Sequence, residues 1–67
     1  MELIINGQSK DIDLSQSNLE SLLLALDVKL NGVVVDLNGE LYKNTDFKQV
    51  DLNTNDKVEV IHFMGGG

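Results

Sequence analysis

The final three residues, Gly65-Gly66-Gly67, are the part of the sequence that bears most directly on chemistry. They follow the apolar segment 58–64 with no polar linker between. Glycine has no Cβ and adopts backbone angles that other residues avoid, so such a tail can thread a narrow channel. An α-carboxylate is ionised at neutral pH and is a poor electrophile until another enzyme activates it. The pattern predicts a domain that presents the carboxylate of Gly67 to the active site of a partner.

The other side chains offer little chemistry of their own. The chain has one histidine, His62, and no cysteine, so it can form no disulfide and no cysteine-based metal site. The carboxylates show no metal-ligand spacing, the serines form no nucleophile-elbow pattern, and no glycine-rich loop joins a strand to a helix. His62 is interpreted as a structural or exposed residue rather than a general base. We therefore expect no catalysis by this chain, no metal site and no permanently bound cofactor.

The charge balance narrows the classes of partner. Eleven acidic residues stand against five lysines, giving a formal net charge of −6, and the sequence contains no arginine. Because arginine is the usual bidentate reader of phosphate and guanine, binding to nucleic acid or to an anionic membrane is disfavoured. Two interpretations of the acidity remain open: attraction to a basic partner, or solubility alone. The longest apolar run is far too short to span a membrane, and the first residues lack signal-peptide features, so we expect the chain in the cytoplasm. We also expect a monomer.

Hydrophobic patterning predicts one α+β domain over residues 1–64, followed by a flexible glycine tail over 65–67. Ser17 and Glu20 fit a capping box that begins a helix over about 18–27, with leucines on one face. Phe47 and Val50 are expected beneath the sheet, in a segment that forms a turn or a single helical turn. Strands are predicted at 2–6, 8–14, 33–37, 40–42 and 57–63, with the Asn-Gly pairs at 6–7 and 38–39 forming tight hairpin turns.

The first and last strands are the most continuously apolar, which places them side by side, and therefore parallel, at the centre of the sheet. One main helix then crosses one face of a mixed sheet of four to five strands. This is the β-grasp, or ubiquitin-like, arrangement. The helical leucines are expected to pack on Leu3, Ile5, Val33, Val35, Val58 and Val60.

A single helix covers only one side of such a sheet. Because side chains alternate along a strand, Glu59, Ile61 and Phe63 should point away from the helix. Ile4 and Val34 are expected to share that face with Ile61, Phe63 and Met64 and to form an apolar partner-binding patch that leads to the tail. The alternative is that segment 44–50 covers some of these residues, or that they are scattered singly.

The chain resembles the ThiS family, the small sulfur carriers of thiamin biosynthesis, over nearly its whole length. The resemblance rests on Ile4-Ile5-Asn6-Gly7, on Leu22, Leu23 and Leu26, on the strand 33–35 that leads to Asn38-Gly39, and above all on segment 56–67 with its glycine end. A double-glycine end is shared with ubiquitin and with the molybdopterin carrier MoaD. The chain departs from the family pattern at Leu41-Tyr42-Lys43, where Pro-Arg is frequent, near Phe47, where tryptophan is frequent, and at Asn55-Asp56, where Gly-Asp is frequent.

The resemblance implies a reaction cycle in which this chain is a carrier and not an enzyme. A ThiF-like adenylyltransferase would use ATP and magnesium to adenylate the Gly67 carboxylate, with Gly65 and Gly66 threading its channel. Sulfur derived from a cysteine desulfurase would then replace AMP and leave a thiocarboxylate. A ThiG-like thiazole synthase would take that sulfur into the thiazole ring. The alternatives are a carrier for molybdopterin synthesis or tRNA thiolation, and a ubiquitin-like binding module or modifier.

Overall fold

The computed structural model describes residues 1–63, so Met64 and the tail glycines Gly65, Gly66 and Gly67 lie outside the described residues. Within residues 1–63 the chain forms five strands, one α-helix and two short 3-10 turns, at Leu30–Gly32 and Phe47–Gln49. None of the helices in this part of the chain is long and apolar enough to cross a membrane. The elements are β1 (Glu2–Ile5), β2 (Gln8–Asp11), α1 (Leu19–Ala25), β3 (Val33–Leu37), β4 (Glu40–Tyr42) and β5 (Lys57–His62).

The strands form one mixed sheet in the order β2-β1-β5-β3-β4. β5 is central, and it pairs parallel with β1, where Ile5 lies opposite Val58. The remaining pairs, β1 with β2, β3 with β4 and β3 with β5, are antiparallel. The predicted parallel centre and β-grasp arrangement are therefore confirmed.

Both Asn-Gly pairs form the predicted tight turns. Asn6 and Gly7 have φ values of 50° and 83°, and Asn38 and Gly39 have 52° and 97°. A type I′ turn needs positive φ at both central residues, which glycine and asparagine tolerate best. Each asparagine side chain also reaches β5: the Oδ1 of Asn6 accepts from the Val60 amide, and the Oδ1 of Asn38 accepts from the Lys57 amide, both at 2.9 Å. The two hairpin turns therefore hold the central strand from either side.

The core lies between α1 and one face of the sheet. On the helix, Leu19, Leu22 and Leu23 are buried as predicted, and Leu26 is half-buried. Phe47 is fully buried and Val50 half-buried, and the 3-10 turn that contains Phe47 contacts α1. Of the sheet residues expected beneath the helix, all are buried except Val60, which is half-buried: Leu3, Ile5, Val33, Val35, Val58 and Val60.

Several predicted boundaries are wrong. The helix spans Leu19–Ala25 rather than 18–27, and its N-cap is Asn18, whose side chain accepts from the Ser21 amide, rather than Ser17. The backbone of Ser17 is used elsewhere, because its carbonyl accepts from the Leu52 amide at 2.9 Å. After Ala25 the chain leaves the helix, and Asp27 adopts a left-handed φ of 62°.

The strand boundaries also contract. β2 ends at Asp11 rather than at residue 14, because Asp11 pairs with Glu2, the first residue of β1. Beyond that pair only Met1 remains: its carbonyl accepts from the Ile12 amide, and its ammonium donates to the Ile12 carbonyl, both at 2.9 Å. β1 ends at Ile5 rather than residue 6, and β5 at His62 rather than residue 63.

Candidate docking face and tail exit

The sheet face opposite α1, here called the outer face, carries all four of the sequence-predicted binding residues that the structure describes. Along β3 the burial alternates, with Val33, Val35 and Leu37 buried toward the helix and Val34 and Asp36 on the outer face. Segment 47–49 contacts α1, so it lies on the helix side. This segment therefore does not cover the outer face, and the alternative that it does is wrong.

Three apolar residues lie together where β5 ends. Val34 and Ile61 are direct cross-strand partners. Ile61 is 43% exposed and Phe63, two residues later, is 58% exposed. The Phe63 amide donates to the Gly32 carbonyl at 3.0 Å, so the strand-like pairing continues one step beyond β5. We call Val34, Ile61 and Phe63 the tail-proximal patch, because only Met64 separates Phe63 from the glycines in the sequence.

Ile4 lies elsewhere on the same face. Its partner in β5 is Lys57, four residues before Ile61. At about 3.3 Å per residue, that separates Ile4 from Ile61 by roughly 13 Å along the strand. A groove of about 770 Å³ lies on the Ile4 side of the face, between the two Asn-Gly turns. It is lined by Ile4, Gly7, Asp36, Asn38, Gly39, Lys57, Val58 and Glu59. The structure thus brings three of the predicted binding residues together and places the fourth in a separate groove.

Leu41 is an outer-face residue that the sequence reasoning missed. It pairs with Asp36 across β3 and β4 and is 67% exposed. The turn could have predicted this position. A two-residue loop at Asn38-Gly39 places residue 37 opposite 40 and therefore residue 36 opposite 41, so Leu41 shares the face of Asp36. Leu41 extends the apolar surface toward the β4 edge.

An acidic pair separates these apolar regions. Asp36 and Glu59 are cross-strand partners on the outer face. One oxygen of Asp36 accepts from the Gly39 amide at 2.8 Å, which fixes the turn. Within residues 1–63 the one salt bridge joins the Met1 ammonium to Asp11 at 3.1 Å, so neither Asp36 nor Glu59 is in an ion pair there. Like charges directly opposite each other in a sheet destabilise it, and a cation from a partner would relieve that repulsion.

The described ionisable groups show no catalytic arrangement. His62 is exposed and is partnered with Val33 across the sheet. No group of three or more potential metal ligands occurs among residues 1–63. The hydrogen bond that Tyr42 donates to Glu40 raises the pKa of the phenol, and partial burial and the charges of Glu40 and Asp46 raise it further. That tyrosine lies on the β4 edge, away from the tail exit.

Comparison with models of protein families identifies the family of this chain. A model of the ThiS family matches residues 3–67, which includes the terminal glycines. The chain belongs to the ThiS family. Membership agrees with the β-grasp topology and with the resemblance noted in the glycine-terminated segment.

Individual relatives extend the comparison. The chain is 28% identical over 65 residues to the sulfur carrier protein ThiS of Bacillus subtilis, covering 97% of this chain and 98% of that protein. It is also 37% identical over 67 residues to a thiazole synthase of Paramagnetospirillum magneticum, of which it spans 20%. The chain therefore corresponds to about a fifth of that longer protein.

The fold comparison agrees with the family match. The crystal structure of a ThiS thiamine biosynthesis protein from Geobacter metallireducens superposes with a TM-score of 0.82 at 38% identity, with full coverage of both chains. The five-stranded sheet with one helix is thus the β-grasp fold as a ThiS structure has it. In the present chain, the tail-proximal patch lies at the end of the central strand β5, just before the residues that lead to the glycines.

Proposed function

We propose that this chain is a sulfur carrier for thiamin biosynthesis and that the sulfur is held as a thiocarboxylate on Gly67. The observation that carries the proposal is that the ThiS family match extends through residue 67. The sequence adds support, because it has no cysteine that could hold a persulfide. The Bacillus subtilis relative, similar over nearly its full length, is named a sulfur carrier.

The proposed chemistry takes place in partner active sites. A ThiF-like adenylyltransferase, using ATP and Mg²⁺, lets a carboxylate oxygen of Gly67 attack the α-phosphorus of ATP and release pyrophosphate. A persulfide supplied through a cysteine desulfurase then attacks the acyl carbon with its terminal sulfur, and AMP leaves with the bonding electrons. A thiol reductant cleaves the S–S bond of the resulting acyl disulfide, so that the terminal sulfur stays on Gly67 and the other sulfur leaves in a new disulfide. The product is a thiocarboxylate, which a thiazole synthase consumes. The chain binds no permanent cofactor in this scheme and acts as a co-substrate, and we assign it to the cytoplasm, where ATP is available.

Docking on the outer face has an energetic role in this scheme. Fixing the backbones of Gly65, Gly66 and Gly67 in a narrow channel costs on the order of 3–6 kcal/mol of conformational entropy. Burial of apolar surface at the tail-proximal patch offsets that cost, at roughly 25 cal/mol per Å². Met64 and Ile4 are included in the proposed contact surface: Met64 by its position before the glycines and Ile4 through the separate groove. The glycines themselves contribute access rather than affinity, since they have no side chains.

Thiazole synthase is the proposed sulfur acceptor. The support is that a region similar to this chain forms part of a protein named thiazole synthase in Paramagnetospirillum magneticum. Regions that are covalently joined in one protein are often binding partners when they are separate chains. Molybdopterin synthesis and tRNA thiolation remain the competing acceptor pathways, and thiazole rescue of a deletion strain separates them from the thiamin pathway.

The decisive experiment is accurate-mass analysis after incubation with the adenylyltransferase from the same organism, ATP, Mg²⁺ and a sulfur source. Replacement of oxygen by sulfur has nearly the same nominal mass change as oxidation of methionine, and Met64 lies close to the tail. The added mass must therefore be assigned to Gly67 by fragmentation. A Met64→Leu variant serves as the control, because it removes the neighbouring oxidation site but keeps an apolar side chain of similar size in the proposed contact surface, so it should still be loaded.

A second control removes Gly66 and Gly67. This truncated chain should unfold at the same urea concentration as the full chain, because Gly66 and Gly67 have no side chains to contribute to the core, and it should accept no sulfur. Sulfur found on any residue other than Gly67, or undiminished sulfur transfer by the truncated chain, would show that the proposed function is wrong.

A further inference from the structure

The central strand β5 is longer than its parallel neighbour. β1 ends at Ile5, opposite Val58, whereas β5 continues to His62. On its other side β5 is paired with β3 along its whole upper half, through Val33 opposite His62. Residues 59–62 of β5 therefore pair with β3 on one side, whereas on the other side β1 has already ended in the turn of the β1–β2 hairpin.

The hydrogen bonds show which backbone groups point to the β1 side. The Ile4 amide donates to the Asp56 carbonyl at 3.0 Å, and the Asn6 amide donates to the Val58 carbonyl at 2.8 Å. Odd-numbered residues point the other way, since the Phe63 amide donates to the Gly32 carbonyl and the Lys57 carbonyl accepts from Asn38. The next even-numbered groups on the β1 side are the carbonyl of Val60 and the amide of His62.

The side chain of Asn6 makes the last hydrogen bond between the β1 side and β5, just before the Val60 carbonyl and the His62 amide. Because Asn6 turns away with a φ of 50°, its own carbonyl no longer faces β5. Its Oδ1 accepts from the Val60 amide at 2.9 Å instead, in the position where a strand carbonyl would lie. Among the described residues, the Val60 carbonyl and the His62 amide have no backbone partner on this side.

We call the Val60 carbonyl and the His62 amide the open step of β5. We infer that this open step is a strand-addition site, and that an extended backbone segment of the thiazole synthase binds there in the line of β1. This inference rests on the proposed function, because it assigns the site to that partner. One residue of the added segment would donate its amide to the Val60 carbonyl and accept from the His62 amide. Such pairing is an established mode of recognition between proteins, with backbone bonds supplying affinity and flanking side chains supplying specificity.

The position favours a partner over a second copy of this chain. Pairing between two copies through this step alone would use only the two open backbone groups of each chain, and it would bury far less than the roughly 1,000 Å² that a stable interface needs. It also adjoins the proposed docking face, because Ile61 and Phe63 flank His62 and are exposed. A segment bound here would hold the chain immediately before the tail and so direct the glycines.

The test compares two substitutions at one position. His62→Pro removes the amide hydrogen and puts the proline ring in the open step, whereas His62→Ala keeps the amide. Proline is tolerated where a strand amide faces solvent, and the His62 amide has no described partner to lose. We expect His62→Pro to weaken binding to the thiazole synthase of the same organism by about tenfold or more, and His62→Ala to change it by less than about twofold.

A measurement on the unaltered chain guards against misfolding of the proline variant. Hydrogen exchange at the His62 amide should slow when thiazole synthase binds, and circular dichroism should report whether His62→Pro is folded. Equal binding by a folded His62→Pro variant, or unchanged exchange at His62 in the complex, would overturn the inference. So would a wild-type dimer in sedimentation that His62→Pro dissociates, since the edge would then serve a second copy.

The outcome is distinguishable from failure of the proposed function. If the wild-type chain acquires sulfur on Gly67 and binds thiazole synthase, the carrier function stands whatever His62→Pro does. If the wild-type chain is never loaded, the carrier function fails first. The two experiments therefore report on separate claims.

Discussion

Asn18 is the buried polar residue of the described core, at 7% exposure, and it joins two distant parts of the chain. Its Oδ1 caps α1 by accepting from the Ser21 amide at 2.9 Å. Its Nδ2 donates to the Lys48 carbonyl at 3.3 Å, thirty residues away. A single side chain thus fixes both the start of the helix and its distance from the 3-10 turn that carries Phe47.

We predict that Asn18→Ala lowers the free energy of unfolding by about 1–3 kcal/mol, because a helix cap and a buried hydrogen bond are lost together. Urea unfolding followed by circular dichroism measures the change. Asn18→Ser is the matched control: a shorter hydroxyl still caps the helix but does not reach Lys48, so it should lose only part of that stability. Equal midpoints for the alanine variant and the wild-type chain would contradict the assigned role.

At the scale of elements, the sequence was sufficient wherever a local rule decided the structure. The Asn-Gly turns, the burial of the helical leucines and the parallel pairing of β1 with β5 all follow from residue type and periodicity. The N-cap did not follow, because Ser17 and Asn18 are both good caps. The choice between them is made by Lys48 and Leu52, whose backbones bind Asn18 and Ser17 across the fold.

The site was predicted only in part for a related reason. Alternation along β5 correctly assigned Ile61 to the outer face, but whether Ile4 joins it depends on the register of two parallel strands. Parallel pairing through a long crossover leaves that register unspecified by any turn. The end of β1 at Ile5 is equally non-local, and it is what opens the step beside Val60 and His62.

The outer face of the sheet supports a prediction that separates docking from stability. We expect Ile61→Ser to weaken binding to the adenylyltransferase by about tenfold, because it removes apolar surface from the tail-proximal patch. Stability should change little, since Ile61 is already 43% exposed. Isothermal titration calorimetry measures the affinity, and thermal unfolding checks the fold.

Leu24→Ser provides the matched control for that experiment. Leu24 is 61% exposed on α1, which packs on the opposite face of the sheet. It loses a similar apolar side chain without altering the outer face, so its affinity should equal that of the wild-type chain. Equal losses for the two variants would mean that the partner does not distinguish the faces, and the docking assignment would be wrong.

The whole molecule carries a formal net charge of −6, and part of that charge lies within the docking face as the pair Asp36 and Glu59. Two explanations of this acidity were open from the sequence: steering toward a basic partner, or solubility alone. The position of this pair agrees with steering, because Asp36 and Glu59 lie on the proposed docking surface and neither is in an ion pair within residues 1–63.

Steering predicts a salt-dependent association rate. We expect the rate constant for binding the adenylyltransferase to fall on the order of tenfold as added salt shortens the Debye length from about 30 Å to about 8 Å, with little change in dissociation. Stopped-flow measurements across that range test it. Neutralising the pair with Asp36→Asn and Glu59→Gln should flatten the dependence. An equal change of charge in and just after α1, on the opposite side of the sheet, should not: the control is Glu20→Gln with Asp27→Asn. If both double variants flatten the salt dependence equally, net charge alone governs the encounter. If the wild-type association rate constant does not change with salt, the acidity serves solubility.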